Sequence, residues 1–403
     1  MMCAGCNAAS PVLRRSGNRL PYCKRCFIKA FEDEVYEAIQ KHKMIVDGDV
    51  VCIGVSGGKD SSVLAHVLAT LKQRYSRKWT LYLLAADEGI KGYRDDSLHV
   101  VKGMRNPNYD GLKILNFKER FGFDMDEVVS LIGQKNNCTV CGTFRRQILE
   151  IGARMLGANK LCTGHNIDDN AETVLLNICR NDLFKLAKTL DKTGGVGRTW
   201  QPDGVGDSTP SGNTSSADGT KRVEDSPKVD NMVAQLSSSG CQRHNHSVPE
   251  YTNGDSETTG PGSTPATGDK TATSSLQHDG TEIIRIKPMM YCFEKEIVMY
   301  ARYLNLEYFS TECIYAPEAY RGYMRTFIKQ LEAVDPRIIQ NITQSSQQFY
   351  AQYPSNRKLN TCKKCGIEGI NDLCKACILV QKLTTLRLQA KKHAETDHNC
   401  YYT

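Results

Sequence analysis

The sequence predicts an α/β fold in which a parallel sheet carries helices on both faces. Short runs of β-branched and other apolar residues alternate with amphipathic helical patterns, which is the order typical of parallel sheets. The predicted strands are VVCIGVS (50–56), TLYLLAAD (80–87), LKILNF (112–117) and NKLCTGH (159–165). The predicted helices are 59–75, roughly 95–105, 125–134, 141–156 and 169–180. Such sheets bind ligands at the carboxyl ends of their strands, where Ser56, Asp87 and His165 would lie.

Composition narrows the class of protein. The chain has 403 residues, a net charge of +7 and 17 cysteines. We expect no secretory leader, since the first residues lack an apolar core, and no membrane span, since no apolar run reaches roughly 18 residues. Cysteines in a chain without an export signal favour metal binding or chemistry over disulfides. We therefore expect a cytoplasmic protein with no membrane partner.

Both ends of the chain carry cysteine pairs at the spacing of zinc sites. Sixteen residues separate the two CxxC pairs near the N terminus, and eight separate the two pairs near the C terminus. Four thiolates at such spacings are typical of structural zinc. We predict zinc modules over 1–30 and 356–403, the second ending in a basic helix at roughly 376–393. The predicted ligands are Cys3, Cys6, Cys23 and Cys26 at the first site, and Cys362, Cys365, Cys374 and Cys377 at the second.

The hexapeptide SGGKDS (56–61) joins a predicted strand to a predicted helix. Its glycines let the backbone approach an anion, the helix N terminus favours negative charge, and Lys59 adds a positive one. A tight turn with an exposed lysine is the structural alternative. The spacing is not that of the Walker motif. It resembles the signature of the PP-loop ATP pyrophosphatases, which adenylate a carbonyl oxygen. That resemblance implies an ATP site formed by Ser56, Gly57, Gly58, Lys59, Asp60 and Ser61.

Three cysteines in the middle of the sequence stand apart from the zinc patterns. Cys138 and Cys141 are predicted just ahead of a helix, and Cys313 lies far along the chain in ECIYAPEAYRG (312–322). Together they could hold three corners of a [4Fe–4S] cluster, whose fourth iron would be open to sulfide. Alternatively, one of the pair and Cys313 could act as persulfide and resolving thiol. Cys313 could also be a buried apolar residue.

The segment TGHNIDDNAET (163–173) begins the last predicted helix of the first half of the chain. Asp168 and Asp169 stand at its start, where acidic side chains commonly cap a helix and interact favourably with its dipole. The functional alternative is magnesium binding or contact with the adenylate. The sequence leaves both roles open.

Residues 191–281 differ in composition from the rest of the chain. They are rich in Gly, Ser, Thr, Pro and Asp, with too few apolar residues to form a core. The structured pattern resumes with EIIRIKPMM (282–290) and a helix over 294–306. We therefore predict a disordered insertion that divides one core into the parts 31–190 and 282–355.

The order of the motifs resembles that of the cytoplasmic tRNA 2-thiolation family, a branch of the PP-loop enzymes. The resemblance rests on SGGKDS, DEGIKGYR (87–94), CTVCG (138–142), TGHNIDDNAET, KPMMYCFEKEIVMYA (287–301) and the two terminal cysteine sets. It covers nearly the whole chain except about 191–281. It implies an enzyme that adenylates C2 of the wobble uridine in the lysine, glutamate and glutamine tRNAs and replaces the oxygen with sulfur.

The resemblance also implies roles for particular residues. Gly164 and Asp169 would line the nucleotide site or assist adenylation, with Mg²⁺ accompanying ATP. Cys138, Cys141 and Cys313 would be cluster ligands or sulfur-handling thiols. The zinc modules, the basic C-terminal helix, Arg145 and Arg146 would meet tRNA. Family members take sulfur from a ubiquitin-related modifier and work with a second, homologous subunit.

Two other functions remain open on the sequence. A different PP-loop enzyme, such as a lysidine or amidating synthetase, would share the ATP loop but has no use for three central cysteines. A non-catalytic zinc-binding RNA adaptor could retain the loop as a relic, although Lys59 and Asp60 are both present. Pyrophosphate release with ATP and unmodified tRNA distinguishes the adaptor from an enzyme.

The insertion supports a direct prediction. Deleting residues 195–278 is expected to leave the melting temperature and the activity nearly unchanged, because the segment lacks the apolar residues of a core and loop length affects stability only weakly. Thermal unfolding and activity assays on the shortened chain provide the measurement. A loss of several degrees, or of activity, would show that the segment folds or docks.

Overall fold

Five parallel strands form the central sheet in the order β5-β4-β3-β6-β7. The computed structural model of the chain describes residues 2–188, 283–316, 320–352, 360–369 and 371–399. These belong to one compact unit, Met1–Thr199 together with His278–Thr403. The predicted insertion, 191–281, lies outside the described residues. The central strands are β3 (Val50–Gly54), β4 (Thr80–Asp87), β5 (Gly111–Asn116), β6 (Lys160–Cys162) and β7 (Ile284–Ile286).

Helices connect these strands and extend beyond them. The first half of the chain contributes α1 (Lys24–Lys41), α2 (Lys59–Arg74), α3 (Arg94–Gly103), α4 (Phe117–Phe121), α5 (Met125–Ile132), α6 (Asn137–Met155), α7 (Ile167–Cys179) and α8 (Leu183–Lys188). The second half contributes α9 (Glu294–Leu304), α10 (Tyr320–Val334), α11 (Arg337–Gln352) and α12 (Lys375–Asn399). Two short hairpins belong to the terminal modules: β1 (Leu13–Arg14) with β2 (Pro21–Tyr22), and β8 (Asn360–Thr361) with β9 (Glu368–Gly369).

Buried apolar clusters lie on both faces of the sheet. Val51 and Ile53 of β3 join the apolar cluster that includes residues of α1, α2 and α9. Cys52, between them, belongs to a separate cluster with Ala153 of α6 and Leu84 of β4. Successive strand residues face opposite sides of a sheet, so the two clusters mark its two faces. The predicted parallel sheet with helices on both faces is confirmed.

The second part of the core folds back onto the first. α10 and α11 both pack against α7, and Ile328 and Ile339 are buried there with Ile167.

None of the helices in the described ranges combines the length and the apolar character that a membrane crossing needs.

The start of α6 differs from the sequence prediction. We expected Cys138 and Cys141 just ahead of a helix over 141–156, but α6 begins at Asn137 and includes both. Cysteine, threonine and valine have modest helix propensity, and Gly142 lowers it further, so the local pattern favoured a loop. Packing decides otherwise, because Val140 and Phe144 are buried in one apolar cluster one helical turn apart.

Candidate active site

The predicted phosphate turn lies between β3 and α2, at the carboxyl end of the sheet. Its hydroxyls hold its shape: Ser61 Oγ donates to Gly58 O at 2.9 Å and accepts from Ser56 N at 3.1 Å. Gly57 has φ +77°, and a Cβ there would lie 2.5 Å from the backbone oxygen of Ser97. Only glycine fits this position without moving the backbone.

The loop after β6 lies directly against this turn. A Cβ on Gly164 would lie 3.0 Å from the carbonyl carbon of Asp60, so a glycine is needed for the close approach. Asn166 Nδ2 donates to Asp60 Oδ1 at 3.1 Å. The structure therefore brings Gly164 together with the hexapeptide, as the resemblance implied. Residues 56–61 and 164 form one continuous surface at the strand ends.

Two charged side chains beside the turn, Glu294 and Lys329, were not singled out in the sequence analysis. Lys59 Nζ lies 2.6 Å from Glu294 Oε1 and 3.3 Å from Asp60 Oδ2. Lys329 on α10 lies 2.9 Å from the other oxygen of Glu294. Burial opposes ionisation of Glu294, but the two lysines outweigh it and lower its pKa to about 2. Glu294 is therefore an anion held between two cations.

The acidic residues at the start of α7 have different surroundings. Asp168 is buried, with Lys329 Nζ at 2.8 Å from one oxygen and Glu294 N donating to the other at 2.8 Å. Asp169 forms a capping box with Asn166, which is the structural alternative predicted for it. Asn166 lies between Asp60 and Asp169, because its Nδ2 donates to Asp60 Oδ1 and its Oδ1 accepts from Asp169 N. Burial raises the pKa of Asp60, and the charge of Asp169 acts in the same direction.

The three central cysteines converge although they are distant in sequence. Asn137 Nδ2 donates to Tyr315 O at 3.1 Å, and Cys138 Sγ lies 3.9 Å from the same oxygen. Cys141 and Cys313 pack against one apolar cluster. Burial raises the pKa of Cys138, and the charge of Cys313 contributes to that shift. In the part of the chain that the structure describes, the trio does not meet the 4.8 Å mutual distance that each terminal cysteine set meets.

A buried carboxylate beside these thiols was also missed by the sequence analysis. Glu88 directly follows β4 and is only 4% exposed. Its Oε1 lies 2.9 Å from Arg145, and its Oε2 lies 3.2 Å from Arg94. Arg145 Nη2 in turn contacts Cys141 Sγ at 3.6 Å. Burial raises the pKa of Cys141 to about 11, against the opposing charge of Arg145. DEGIKGYR was visible in the sequence, but nothing in it indicated this charge network.

One segment joins the phosphate turn to the thiols. Phe309 N donates to Gly57 O at 2.8 Å, and the Phe309 ring packs edge-on against Tyr93 at 5.3 Å. Cys313 follows four residues later, so its Cα lies at most about 14 Å from that of Phe309. This segment therefore joins the phosphate turn to the thiol group at the same edge of the sheet.

Arg146 faces a different environment from Arg145. Arg145 pairs with Glu88 and Arg285 with Glu150, whereas Arg146 has no ion pair in the described ranges. Burial and the charges of Arg285 and Arg145 lower the pKa of Arg146, and Arg146 in turn contributes to the lowered pKa of Lys375. Arg285 Nη2 also donates to Arg146 O at 3.0 Å, and Lys375 follows Cys374, whose Sγ lies 3.5 Å from Gln147. We call Arg146, Arg285 and Lys375 the basic patch.

Within the described residues, the two terminal cysteine sets are the groups of side chains whose geometry could hold a metal ion. In each, the four sulfur atoms lie within 4.8 Å of one another, which fits a tetrahedral Zn²⁺ with four thiolates. The backbone N–H groups of Gly5 and Cys23 donate to Cys3 Sγ, and that of Cys374 donates to Cys362 Sγ. Such donors stabilise thiolates, and backbone hydrogen bonds lower the pKa of Cys3 to about 6. Both predicted ligand sets are brought together.

Comparison with known proteins gives a consistent result. A family model described as a PP-loop domain matches residues 29–196. A cytoplasmic tRNA 2-thiolation protein 1 from Malassezia globosa is 42% identical over 94% of this chain and 87% of its own length. The protein of that name from Arabidopsis thaliana is 39% identical over 95% and 84%. The U34-tRNA thiolase NcsA from Methanococcus maripaludis, solved with its [4Fe–4S] cluster, matches with a TM-score of 0.64 and 23% identity over 95% of this chain and 96% of that one. At 23% identity, this similarity shows a shared fold.

Proposed function

Because the chain belongs to the family of cytoplasmic tRNA 2-thiolation protein 1, we propose that it thiolates tRNA at C2 of the wobble uridine, in the lysine, glutamate and glutamine tRNAs. One observation carries the proposal. The segment from Phe309 to Cys313 connects a phosphate-binding turn to three thiols, so activation and sulfur delivery can act on one base. An enzyme that only amidates or hydrolyses has no use for that connection.

The first step uses the phosphate turn. The C2 oxygen of uridine attacks the α-phosphorus of ATP, an O–P bond forms, and pyrophosphate leaves. The glycine backbone and the start of α2 would hold the phosphates, with Lys59 adding charge as the leaving group develops. Lys59 would leave Glu294 for the phosphates, and Lys329 would keep Glu294 paired. Asp60 and Asp169, both hydrogen-bonded to Asn166, would offer carboxylate oxygens to the Mg²⁺ that accompanies ATP.

The second step needs sulfur. A sulfur nucleophile adds to the adenylated C2, the C–O bond breaks, and AMP leaves with the original oxygen. Cys138, Cys141 and Cys313 would supply three thiolate ligands, the number that holds a [4Fe–4S] cluster with one iron left without a cysteine. Such a cluster, when bound, would supply sulfur from that iron. Arg145 lies against Cys141 and would stabilise its thiolate form.

We propose the remaining partners from family membership. The terminal cysteine sets would hold two Zn²⁺ ions as structural centres. A ubiquitin-related modifier would deliver sulfur, and a second, homologous subunit would complete the enzyme. The relatives' name places them in the cytoplasm, and we propose the same location for this chain.

The function is tested directly by mixing the anaerobically purified chain with ATP, a sulfide source and unmodified tRNA. We expect pyrophosphate, AMP and 2-thiouridine to form in equal amounts. Pyrophosphate without thiouridine would favour another PP-loop modifying enzyme. Binding of tRNA without pyrophosphate would favour a non-catalytic adaptor.

The basic patch gives a prediction about tRNA binding. Arg146→Ala should weaken binding to all tRNAs and reduce the slope of log affinity against log salt by about 1, because one phosphate contact is lost. The measurement is a binding titration at several salt concentrations. Arg302→Ala, which removes an exposed arginine at the end of α9, serves as the control. An unchanged salt slope for Arg146→Ala would exclude this contact.

A further inference from the structure

Gln147 on α6 lies with its side-chain amide against the C-terminal cysteine set. Its Nε2 donates to Cys365 Sγ at 3.3 Å, and its Oε1 lies 3.5 Å from Cys374 Sγ. The side chain is on the same helix as two of the central thiols, and the residue is only 9% exposed. Backbone amides donate to Cys3 Sγ at the N-terminal set and to Cys362 Sγ at this one, so the contact of the Gln147 side chain is additional to them.

Metal binding would strengthen the contact between the Gln147 amide and the sulfur atoms of Cys365 and Cys374. Cysteines that bind a metal are thiolates, which accept hydrogen bonds but have no proton to donate. A thiolate at Cys374 would therefore be repelled by the carbonyl oxygen of Gln147. The amide group has two N–H donors on Nε2, so rotating it toward both sulfurs satisfies both thiolates. A bound metal would thus fix the orientation of Gln147.

Apolar packing connects the same two parts of the molecule. Ala376 and Leu383 of α12 share one buried cluster with Phe144 and Ile148 of α6. Cys141 and Cys313 pack against that cluster. In the middle of α12, Arg387 lies over the ring of Phe123 at 4.1 Å and 3.5 Å from Glu127 of α5. Gln147 follows Cys141 by six residues, or about 9 Å along the helix axis.

We propose that Gln147 is a positioning residue that couples metal binding at the C-terminal cysteine set to the placement of Cys141 on α6. The role of Cys141 in sulfur transfer rests on the proposed function, but the coupling itself does not. Metal binding by the C-terminal module then fixes the position of α6 as well as stabilising the module itself.

The test compares Gln147→Leu with the wild-type full-length chain loaded with zinc under anaerobic conditions. Peptide mass spectrometry follows alkylation of each cysteine after a chelator is added. We expect the C-terminal set to lose protection at about 10- to 100-fold lower chelator, the usual cost of removing an outer-shell partner of a metal ligand. The N-terminal set should not change. At saturating zinc, the alkylation rate of Cys141 should already differ several-fold from that of the wild type.

Two further variants make the result specific. Gln381→Leu, an exposed glutamine on α12, is the matched control and should behave as the wild type. Gln147→Glu keeps the size of the side chain but places a carboxylate beside the thiolates, and should lose zinc more readily than Gln147→Leu. Circular dichroism verifies that each variant is folded. Wild-type zinc protection and a wild-type Cys141 rate in both Gln147 variants would overturn the proposal.

The same samples separate the coupling from the proposed function. Neither readout uses tRNA or ATP. A wild-type chain that shows the coupling but forms no thiouridine would refute the proposed function and leave the role of Gln147 standing.

Discussion

Lys59→Ala should lower pyrophosphate release and thiouridine formation by about 100- to 1000-fold, the usual cost of removing one preorganised group that stabilises developing charge. Lys59 is the cation of the phosphate turn, and its ammonium is within reach of both Asp60 and Glu294. The fold should survive, because Glu294 keeps its pairing with Lys329 at 2.9 Å and is not left as an unpaired buried charge. Asp60→Ala should have a similar effect on activity.

Lys29→Ala is the matched control for this experiment. Lys29 is 73% exposed and pairs with Asp33 on the surface of α1, so its loss should change neither activity nor stability measurably. Thiouridine content is measured in tRNA incubated with each variant, and melting temperatures are recorded in parallel. Normal thiouridine content in tRNA treated with Lys59→Ala or Asp60→Ala would refute the assignment of the phosphate turn to ATP binding.

Local patterns were sufficient to predict four of the five strands of the sheet and the phosphate turn. β4 was predicted as 80–87 and is observed at Thr80–Asp87, because seven consecutive apolar or β-branched residues precede Asp87. The turn could be predicted for the same reason: its glycines, Lys59 and Asp60 are consecutive, and a strand and a helix flank them. The two terminal cysteine sets could be predicted equally well, since CxxC spacing is local and each pair needs only one partner pair.

Interactions across the fold could not be read in this way. Glu88 and Glu294 are single acidic residues in segments whose partners, Arg145 and Lys329, lie on other helices. Gln147 has no pattern at all in the sequence, because its significance comes from a module more than two hundred residues away. The start of α6 was misjudged because packing of Val140 and Phe144 outweighs weak helix propensity. Tertiary contacts, rather than local preference, set these features.

Replacing any one of the three central cysteines should also have a large effect on activity. Replacing Cys138, Cys141 or Cys313 by serine should remove iron and thiolation together, because a cluster held by only two cysteines is readily lost. The structure supports a shared group: Cys313 and Cys141 pack against one apolar cluster, and Cys138 lies beside the backbone of Tyr315. Iron content, visible absorption and thiouridine are measured on the same anaerobic samples. Cys179→Ser, at an exposed cysteine ending α7, is the control and should retain both.

The alternatives for these thiols predict different combinations of the same readouts. If they act as persulfide and resolving thiol, the wild type contains no iron, and single replacements abolish thiolation. If Cys313 is only an apolar residue, Cys313→Ser lowers stability but leaves thiolation intact. We expect the cluster, because a CxxC pair plus a third cysteine is one thiol more than persulfide chemistry requires. Release of pyrophosphate should persist in all three serine variants, since the phosphate turn does not include these residues. Loss of pyrophosphate release together with iron would instead show that the thiol group also holds the phosphate turn in place through the segment from Phe309 to Cys313.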